Sequence, residues 1–464
     1  MLKPELLSPA GSLKNMRYAF AYGADAVYAG QPRYSLRVRN NEFSLENIQI
    51  GINEAHELGK KFYLVNNIAP HNGKLKTFIK DIEPVIQMGP DALIMSDPGL
   101  IMMVREQFPD MPIHLSVQAN AVNWATVKFW EQQGIERVIL SRELSLDEIE
   151  EIRFRCPDIE LEVFVHGALC MAYSGRCLLS GYINKRDPNQ GTCTNSCRWK
   201  YDVHEAKETE TGDVVAEPVN IIMPEDIAAQ NKPIDDVVLL QEQGRPGEYM
   251  PAFEDEHGTY IMNSKDLRAV EHVDRLVKMG VHSLKIEGRT KSFYYCARTA
   301  QVYNQAILDS MANKPFNQGL NTDLEHLAHR GYTEGFLKRH RPSDTQNYDY
   351  GYSKSDTQQF VGEVIGRAEN GLIEIDVKNK FLVGDQLELM TPKGNISFVL
   401  EKMENKKGEA VDDAKGSGHV VFIELYADID LTHGIIMRYL DEGGTTRHPF
   451  AQTKQISRSK SWHS

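Results

Sequence analysis

Long apolar segments are absent from this chain of 464 residues. No apolar run approaches the roughly 18–20 residues that a helix needs to cross a bilayer. The chain begins Met-Leu-Lys-Pro-Glu-Leu-Leu-Ser-Pro, with an acidic residue and a second proline where a signal peptide needs an unbroken apolar stretch. We therefore expect a cytoplasmic protein with no membrane partner.

Cysteine is also scarce, with six residues in the whole chain. Thiols are kept reduced in the cytoplasm, so we do not expect these cysteines to form disulfides. They can serve as metal ligands, as catalytic groups or as small buried side chains, and their spacing has to separate these cases.

Positive charge is in deficit, since 52 Lys and Arg face 65 Asp and Glu for a formal net charge of −13. Non-specific binding to nucleic acid depends on cations that neutralise phosphates, so any contact with RNA must be local. Each basic cluster in the sequence is more often an ordinary solvated face than a binding site. The clusters are Arg33, Arg37 and Arg39; Lys338, Arg339, His340 and Arg341; and, in the tail, Arg447, Lys454, Arg458 and Lys460.

The first 290 residues repeat one unit, an amphipathic helix that ends near a glycine and is followed by a short apolar run. Eight such runs predict buried parallel strands covered by helices, which favours a (β/α)8 TIM-like barrel. An open doubly wound sheet is the alternative, although no Gly-x-Gly-x-x-Gly or Gly-x-x-x-x-Gly-Lys motif is present. The predicted strands are 5–8, 26–30, 62–66, 92–96, 113–118, 137–141, 161–165 and 283–287, and the capping glycines are Gly23, Gly59, Gly89, Gly134 and Gly280.

Polar side chains lie at the carboxyl ends of six of these strands. In a (β/α)8 barrel, the active site lies at these strand ends. We expect them to form a polar pocket, although capping of the following helices would explain Asp97 and Asn120 equally well. The residues concerned are Asn66, Asn67, Ser96, Asp97, Gln118, Asn120, Ser141 to Glu143, His166 and Glu287 to Arg289.

The domain boundaries follow from breaks in this pattern. The barrel is predicted for residues 1–310, with an insertion at about 168–282 that contains a hairpin around residues 255–258. A helical segment and linker follow at 311–355. Short alternating strands with glycine-containing turns then predict a small antiparallel β-barrel at 356–445, before a flexible tail at 446–464.

Four cysteines lie within 28 residues of the insertion: Cys170, Cys177, Cys193 and Cys197. Soft thiolates select zinc or an iron–sulfur cluster, and the spacing does not match the paired gaps of zinc ribbons. A metal or cluster site is therefore favoured over unrelated buried thiols. Cys156 and Cys296 stand alone and are interpreted as buried apolar side chains.

His166 and Cys170 allow a different interpretation, a thiol nucleophile activated by a base, with Glu162 or Asp187 to orient it. No known cysteine-protease signature accompanies this pair. His166 at a strand end could also simply hydrogen-bond a backbone carbonyl.

The run Glu162-Val-Phe-Val-His166-Gly167-Ala-Leu-Cys170-Met-Ala-Tyr-Ser-Gly175-Arg-Cys177-Leu-Leu-Ser180 resembles the signature of peptidase family U32, the collagenase-like peptidases. The likeness extends to Leu6-Leu-Ser-Pro-Ala-Gly11, Asp25-Ala-Val-Tyr-Ala-Gly30, Ser116-Val-Gln-Ala-Asn120, Tyr182-Ile-Asn-Lys-Arg-Asp-Pro-Asn-Gln-Gly-Thr-Cys193 and Leu284-Lys-Ile-Glu-Gly-Arg289. It therefore covers essentially the whole chain.

The family members that this chain resembles most imply hydroxylation of tRNA, forming 5-hydroxyuridine at the wobble position with dependence on prephenate and a [4Fe-4S] cluster. The resemblance implies Cys170, Cys177 and Cys193 as ligands, and Cys197 is the natural fourth. Partners would be tRNA, prephenate, the iron–sulfur assembly machinery and an unidentified electron donor. The alternatives are a collagenase-like peptidase and a non-catalytic electron-transfer protein.

If prephenate binds directly, its carboxylates favour arginine side chains, because a guanidinium group can donate two parallel hydrogen bonds to one carboxylate. Arg142 and Arg289 are the first candidates for this role. Structural salt bridges would account for either residue equally well. The full candidate set is His166 and Glu287 for catalysis and Arg33, Arg37, Gln118, Asn120, Arg142 and Arg289 for substrate binding. For base stacking it is Tyr34, Tyr173, Trp199 and Tyr201, with the C-terminal barrel as a second RNA contact by fold analogy.

Overall fold

The computed structural model describes residues 2–35, 42–68, 70–169, 265–329, 331–338, 357–425 and 429–440, together with the backbone of seven strands between residues 172 and 261. No helix in these ranges is long and apolar enough to cross a membrane. The cysteines at 170, 193 and 197 fall outside the described residues, and only the backbone of Cys177 is described.

Eight parallel strands close into a barrel, which confirms the predicted fold class. Pairing runs in order from the first strand to the seventh, and the last strand pairs in parallel with both the first and the seventh. The strands are β1 (Glu5–Pro9), β2 (Ala26–Gly30), β3 (Lys61–Asn66), β4 (Ala92–Met95), β5 (Ile113–Leu115), β6 (Arg137–Ile139), β7 (Glu160–Ala168) and, after the insertion, β16 (Ser283–Ile286).

Helices cover the outside of the barrel. All five predicted capping glycines have positive φ, as expected for a residue that ends a helix in the left-handed conformation. The prediction for Asn120 was wrong in detail, because this residue ends a 3-10 turn (Val117–Ala119) at φ 55° while Asn123 caps the next helix. The helices are α1 (Leu13–Ala21), α2 (Leu45–Glu57), α3 (Asn72–Gln87), α4 (Pro98–Gln107), α5 (Trp124–Gln132), α6 (Leu146–Arg155), α7 (Val273–Lys278), α8 (Phe293–Met311) and α9 (Gly319–Glu325).

The insertion between β7 and β16 contains a short hairpin, a five-stranded antiparallel sheet and a strand that returns to the barrel. The predicted hairpin is confirmed, since β13 and β14 pair antiparallel. The strands are β8 (Ala172–Tyr173), β9 (Arg176–Cys177), β10 (Tyr201–Glu208), β11 (Val214–Ile222), β12 (Val238–Glu242), β13 (Tyr249–Asp255), β14 (Gly258–Ile261) and β15 (Asp266–Arg268), which pairs with β7 and with β17 (Tyr332–Thr333).

The C-terminal domain is antiparallel, as predicted, and its main sheet has seven strands with β22 and β23 at its two edges. Its central strand β26 was missed by the sequence analysis. The strands are β18 (Gln358–Arg367), β19 (Ile373–Val377), β20 (Phe381–Leu382), β21 (Gln386–Thr391), β22 (Gly394–Val399), β23 (Met403–Glu404), β24 (Asp413–Ala414), β25 (Val420–Ile423) and β26 (Ile435–Tyr439).

Buried polar contacts fasten this domain to helices α1 and α8 of the barrel. The Tyr22 hydroxyl donates to the carbonyl oxygens of Met390 at 3.0 Å and His433 at 2.9 Å. The fully buried Arg298 donates from Nη2 to Glu388 Oε2 at 2.6 Å. The two domains therefore share an interface with a buried ion pair.

Candidate functional site at the mouth of the barrel

Ionised side chains fill part of the barrel interior. Glu162 is fully buried and accepts from Lys285 Nζ at 2.7 Å, and its other oxygen lies 3.3 Å from Arg137 Nη1. Arg137 Nη1 also donates to Glu5 Oε1 at 2.6 Å, and the Tyr63 hydroxyl donates to Glu5 Oε2 at 2.6 Å. Buried charges are tolerated only when they are paired and hydrogen-bonded, and this network meets that condition.

Above this network, three cationic side chains meet two aromatic rings. Arg142 Cζ lies 3.7 Å from the centre of the Phe164 ring, and Lys285 Nζ lies 4.3 Å from that of Tyr28. Arg289 Cζ is 6.0 Å from the same Tyr28 ring. Ring faces are electron-rich, so they help to hold cations at a partly desolvated site.

Glu287 supplies the carboxylate of this site. Its Oε2 lies 3.4 Å from Arg142 Nη2 and 3.5 Å from the Tyr28 hydroxyl. Its backbone is fixed, because its amide donates to the His166 carbonyl and its carbonyl accepts from the Tyr295 hydroxyl. We call Tyr28, Arg142, Phe164, Lys285, Glu287 and Arg289 the mouth cluster.

Strand ends bring the mouth cluster together. Lys285 is the penultimate residue of β16, Glu287 and Arg289 follow that strand directly, and Arg142 follows β6. The carboxyl ends of barrel strands meet at one face, which is where enzymes of this fold place their active sites. The guanidinium of Arg289 comes close to Gly30, since a Cβ there would lie 2.5 Å from Arg289 Nη1 and 2.5 Å from Ser35 Oγ.

Burial lowers the pKa of Lys285, and the neighbouring Glu162 carboxylate opposes this shift. A buried lysine next to a carboxylate is typical of functional sites as well as of structural ion pairs. Lys285 was missed as a site residue by the sequence analysis. The signal was present, because a charged residue within the apolar strand Ser283–Ile286 has to face a polar interior.

Asn66 adds an unusual feature at the end of β3. Its side chain is fully buried, and neither Oδ1 nor Nδ2 finds a hydrogen-bond partner among the residues that the structure describes. Ser141 Oγ, which follows β6, is also buried and also finds no hydrogen-bond partner among the residues that the structure describes. Because buried polar atoms are normally satisfied, water or a small polar ligand is expected beside these two strand ends.

His166 lies apart from the ion pairs. Its ring is 1% exposed, its Nδ1 lies 3.3 Å from the Tyr303 hydroxyl, and the rings of Tyr295 and Tyr332 are close by. Burial, with the nearby Arg268 charge, lowers the pKa of His166 to about 3, so the imidazole is neutral at pH 7. Its catalytic role stays a prediction, but Glu162 does not orient it, because Glu162 binds Lys285 and Arg137 instead.

The structure separates the other predicted binding residues. Arg33 lies on the outer edge of the mouth, where its Nη1 donates to Asp81 Oδ2 at 3.0 Å. Gln118 and Asn120 are half-buried in one turn, and the Asn120 amide donates to the Gln118 carbonyl at 3.3 Å. Arg37 lies outside the described residues. Tyr34 is wrong as a stacking platform, since its side chain is 1% exposed.

The two isolated cysteines are buried, as interpreted from the sequence. Cys296 Sγ lies 3.4 Å from the Pro9 carbonyl, and burial raises its pKa to about 12. Cys156 Sγ lies 3.5 Å from the Trp124 carbonyl, and burial raises its pKa as well. Protonated buried thiols are poor metal ligands, so neither residue competes with the four cysteines of the insertion.

Fold and site together define a (β/α)8-barrel protein with a cluster of charged and aromatic side chains at the carboxyl ends of its strands. The chain belongs to peptidase family U32: the model described as "Peptidase family U32" matches residues 11–347, and that of its C-terminal domain matches residues 356–438. This confirms the family that the sequence motifs indicated.

Relatives with named activities cover nearly all of this chain. It is 70% identical to "tRNA hydroxylation protein P" of Escherichia coli over 97% of this chain and 99% of that protein. It is 68% identical to the protein of the same name in Haemophilus influenzae, over 96% of this chain and 98% of that protein. It is also 30% identical to "23S rRNA 5-hydroxycytidine C2501 synthase" of Escherichia coli, over 87% of this chain and 55% of that protein.

Proposed function

We propose that this protein is a tRNA-modifying hydroxylase. The observation that carries the proposal is the 70% identity, sustained over 97% of the chain, to tRNA hydroxylation protein P of Escherichia coli. The rRNA 5-hydroxycytidine synthase among the relatives supports hydroxylation of a pyrimidine ring as the shared chemistry. The proposed product is 5-hydroxyuridine at the wobble position of tRNA.

The mouth cluster is suited to a small carboxylate co-substrate, and prephenate is the one we propose. Prephenate carries two carboxylates, and each can accept two parallel hydrogen bonds from a guanidinium group. Arg142 lies over the Phe164 ring and beside Glu287, and Arg289 lies near the Tyr28 ring, so both arginines have an aromatic ring close by that can pack on the apolar part of the ligand. Lys285 below them adds positive charge to the floor.

The proposed [4Fe-4S] cluster would be held by Cys170, Cys177, Cys193 and Cys197. Their thiolates form a donor set that suits iron, and the first of them follows β7 by two residues. The end of β7 lies at the mouth, since a Cβ on Gly167 would be 2.5 Å from the Glu287 carbonyl oxygen. A cluster held by these thiolates would supply electrons in one-electron steps.

The chain's own residues then bind and orient the reactants. A wobble uridine has to leave its stack to reach a pocket at the end of a barrel, and polar side chains there can hydrogen-bond its edge. Asn66, whose two amide atoms find no hydrogen-bond partner within the described ranges of the chain, is a suitable partner for a pyrimidine carbonyl and imide. Glu287 next to Arg142 can hold a proton near the ring during hydroxylation.

Nucleoside mass spectrometry of tRNA from a strain that lacks this protein tests the function. We expect loss of 5-hydroxyuridine and its derivatives, with recovery on wild-type protein but not on Cys193→Ala. Cys156→Ala is the matched control, because it removes a buried thiol outside the proposed cluster and should restore the product. Unchanged tRNA nucleosides in the deletion strain would refute the proposal.

Two further measurements test the cofactor and the co-substrate. Protein purified without oxygen should contain about four irons and four sulfides per chain, and Cys197→Ala should lose or convert them. In a purified system, Arg289→Lys keeps the positive charge but loses the paired hydrogen bonds of the guanidinium group. More prephenate should therefore be needed for half-maximal hydroxylation. Hydroxylation independent of prephenate would remove that part of the proposal.

A further inference from the structure

Positive charge is concentrated beside the mouth in a chain that is otherwise acidic. The segment 71–80, His-Asn-Gly-Lys-Leu-Lys-Thr-Phe-Ile-Lys, contains Lys74, Lys76 and Lys80 and no acidic residue. Arg33, in the loop between β2 and α2, adds a fourth cation next to it. We call these four residues the α3 basic edge.

We propose that the α3 basic edge binds the phosphate backbone of the tRNA, an inference that rests on the function proposed above. The edge borders the pocket, because α3 follows β3, whose carboxyl end lies at the mouth. The two loops are tied together, since the Ile68 amide donates to the Tyr34 carbonyl at 3.3 Å. RNA held there can present an extruded base to the mouth.

The geometry of Arg33 and Lys74 is fixed by the fold. Lys74 Nζ donates to the Arg33 carbonyl at 2.8 Å, and both cations lie beside the buried Tyr34 ring, at 5.8 Å and 5.9 Å from its centre. Arg33 has φ 70°, a left-handed conformation that is unfavourable for a non-glycine residue. The loop therefore has a strained backbone at Arg33 in the conformation that holds this residue at the edge.

The cations of the edge remain available to a polyanion. Within the described part of the chain, Lys74, Lys76 and Lys80 are exposed and enter no ion pair. Arg33 forms an ion pair with Asp81, but the Arg33 side chain is 62% exposed. Lys74 and Lys80 are six positions apart, about 9 Å along the helix, which is long enough to contact two successive phosphates.

The C-terminal domain is less suited to this role, although its fold suggested RNA binding. Residues 357–440 contain nine Lys and Arg against fourteen Asp and Glu, a net charge of −5. Several of its lysines are already paired with carboxylates, among them Lys378 with Asp376 at 2.6 Å and Lys402 with Glu404 at 2.7 Å. Its surface would repel phosphates on average.

Binding of unmodified tRNA to the full-length protein, measured by fluorescence anisotropy at several salt concentrations, tests the proposal. The variant Lys74→Gln/Lys76→Gln/Lys80→Gln removes three charges from the edge. Each lost phosphate contact should lower the slope of log affinity against log salt by about one, so we expect a change of about three and roughly tenfold or weaker binding at low salt. Product formation at limiting tRNA should fall in parallel.

Two further variants keep the result interpretable. Lys406→Gln/Lys407→Gln/Lys415→Gln removes the same charge from exposed positions of the C-terminal domain and should leave the affinity and the slope unchanged. Lys76→Gln/Lys80→Gln spares the contact of Lys74 with Arg33, so a slope change of about two there excludes a distorted loop as the cause.

The outcomes separate this inference from the proposed function. Wild-type affinity and slope in the α3 variants, with hydroxylation intact, would overturn the basic edge and leave the tRNA hydroxylase standing. Equal losses of tRNA affinity in both triple variants would also overturn it, because the loss would then depend on the net charge of the protein and not on the position of the lysines. A wild-type protein that neither binds nor modifies tRNA would overturn both.

Discussion

Replacing Arg298 with methionine should destabilise the protein by about 3–5 kcal/mol, because it removes one partner of a buried ion pair. The Arg298 side chain is fully buried on α8, and Glu388 on β21 is 4% exposed. Methionine keeps the apolar stem but leaves the Glu388 carboxylate with Gln358 Nε2, at 2.8 Å, as its hydrogen-bond donor. The buried charge is then uncompensated.

The pH dependence of stability between pH 5.5 and pH 8 should also change. In the wild type, burial acts to raise the pKa of Glu388, but the charge and hydrogen bond of Arg298, together with the hydrogen bond from Gln358 and the nearby His326, hold that pKa below its ordinary value. The contribution of the pair is therefore present above the unfolded pKa of about 4.3 and is lost as pH falls through the folded pKa. In the variant, burial acts without this counterion, so folding takes up a proton. The free energy of unfolding should then rise as pH falls from about 8 to 5.5.

Urea unfolding at these two pH values, followed by circular dichroism, measures both effects. Arg275→Met is the matched control: Arg275 contacts Asp147 at 2.5 Å and Glu150 at 2.8 Å but is exposed, so its loss should cost less than about 1 kcal/mol. The double variant Arg298→Met/Glu388→Leu should recover most of the stability, since no buried charge is left alone. A loss below about 1 kcal/mol for Arg298→Met, or no rise in its free energy of unfolding from pH 8 to pH 5.5 relative to the wild type, would refute the reasoning.

Two further predictions concern the pocket and the isolated thiols. Gly30→Ala should reduce hydroxylation, because the new Cβ would displace the Arg289 guanidinium and the Ser35 hydroxyl, whereas Gly366→Ala, with open space around it, should behave as wild type in the nucleoside assay. Cys296, whose pKa burial raises to about 12, should resist iodoacetamide at pH 8 in the native protein and react after unfolding; rapid native alkylation would contradict its burial.

The barrel was predictable because its strands are local features. Each apolar run in the barrel region of the sequence became a strand, and ends shifted by only a few residues, as at β5, where Ser116 starts a 3-10 turn instead of continuing the strand. Parallel strands buried on both faces have to be continuous apolar runs, and helix-terminal glycines mark the spaces between them. Strand β26 was missed, since the short run Ile435–Tyr439 is recognisable as central only from its two neighbours.

The candidate site was predictable only as a set of strand ends. Arg142, Glu287 and Arg289 were found because they follow apolar strands. Which of them approach one another depends on barrel closure, which joins residues separated by 145 positions, as in the contact of Arg142 with Glu287. Spacing along the chain does not encode that distance.

The sequence by itself determined the family, the barrel and the four clustered cysteines, because motifs, apolar periodicity and cysteine spacing are all local along the chain. Tertiary structure alone decided that Lys285 and Glu162 lie inside the barrel, that His166 is surrounded by tyrosines, and that Arg33 joins α3 at the outer edge of the mouth. The physical reason is that burial, pairing of charges and pKa values depend on which strands and loops become neighbours, and only closure of the barrel makes them so.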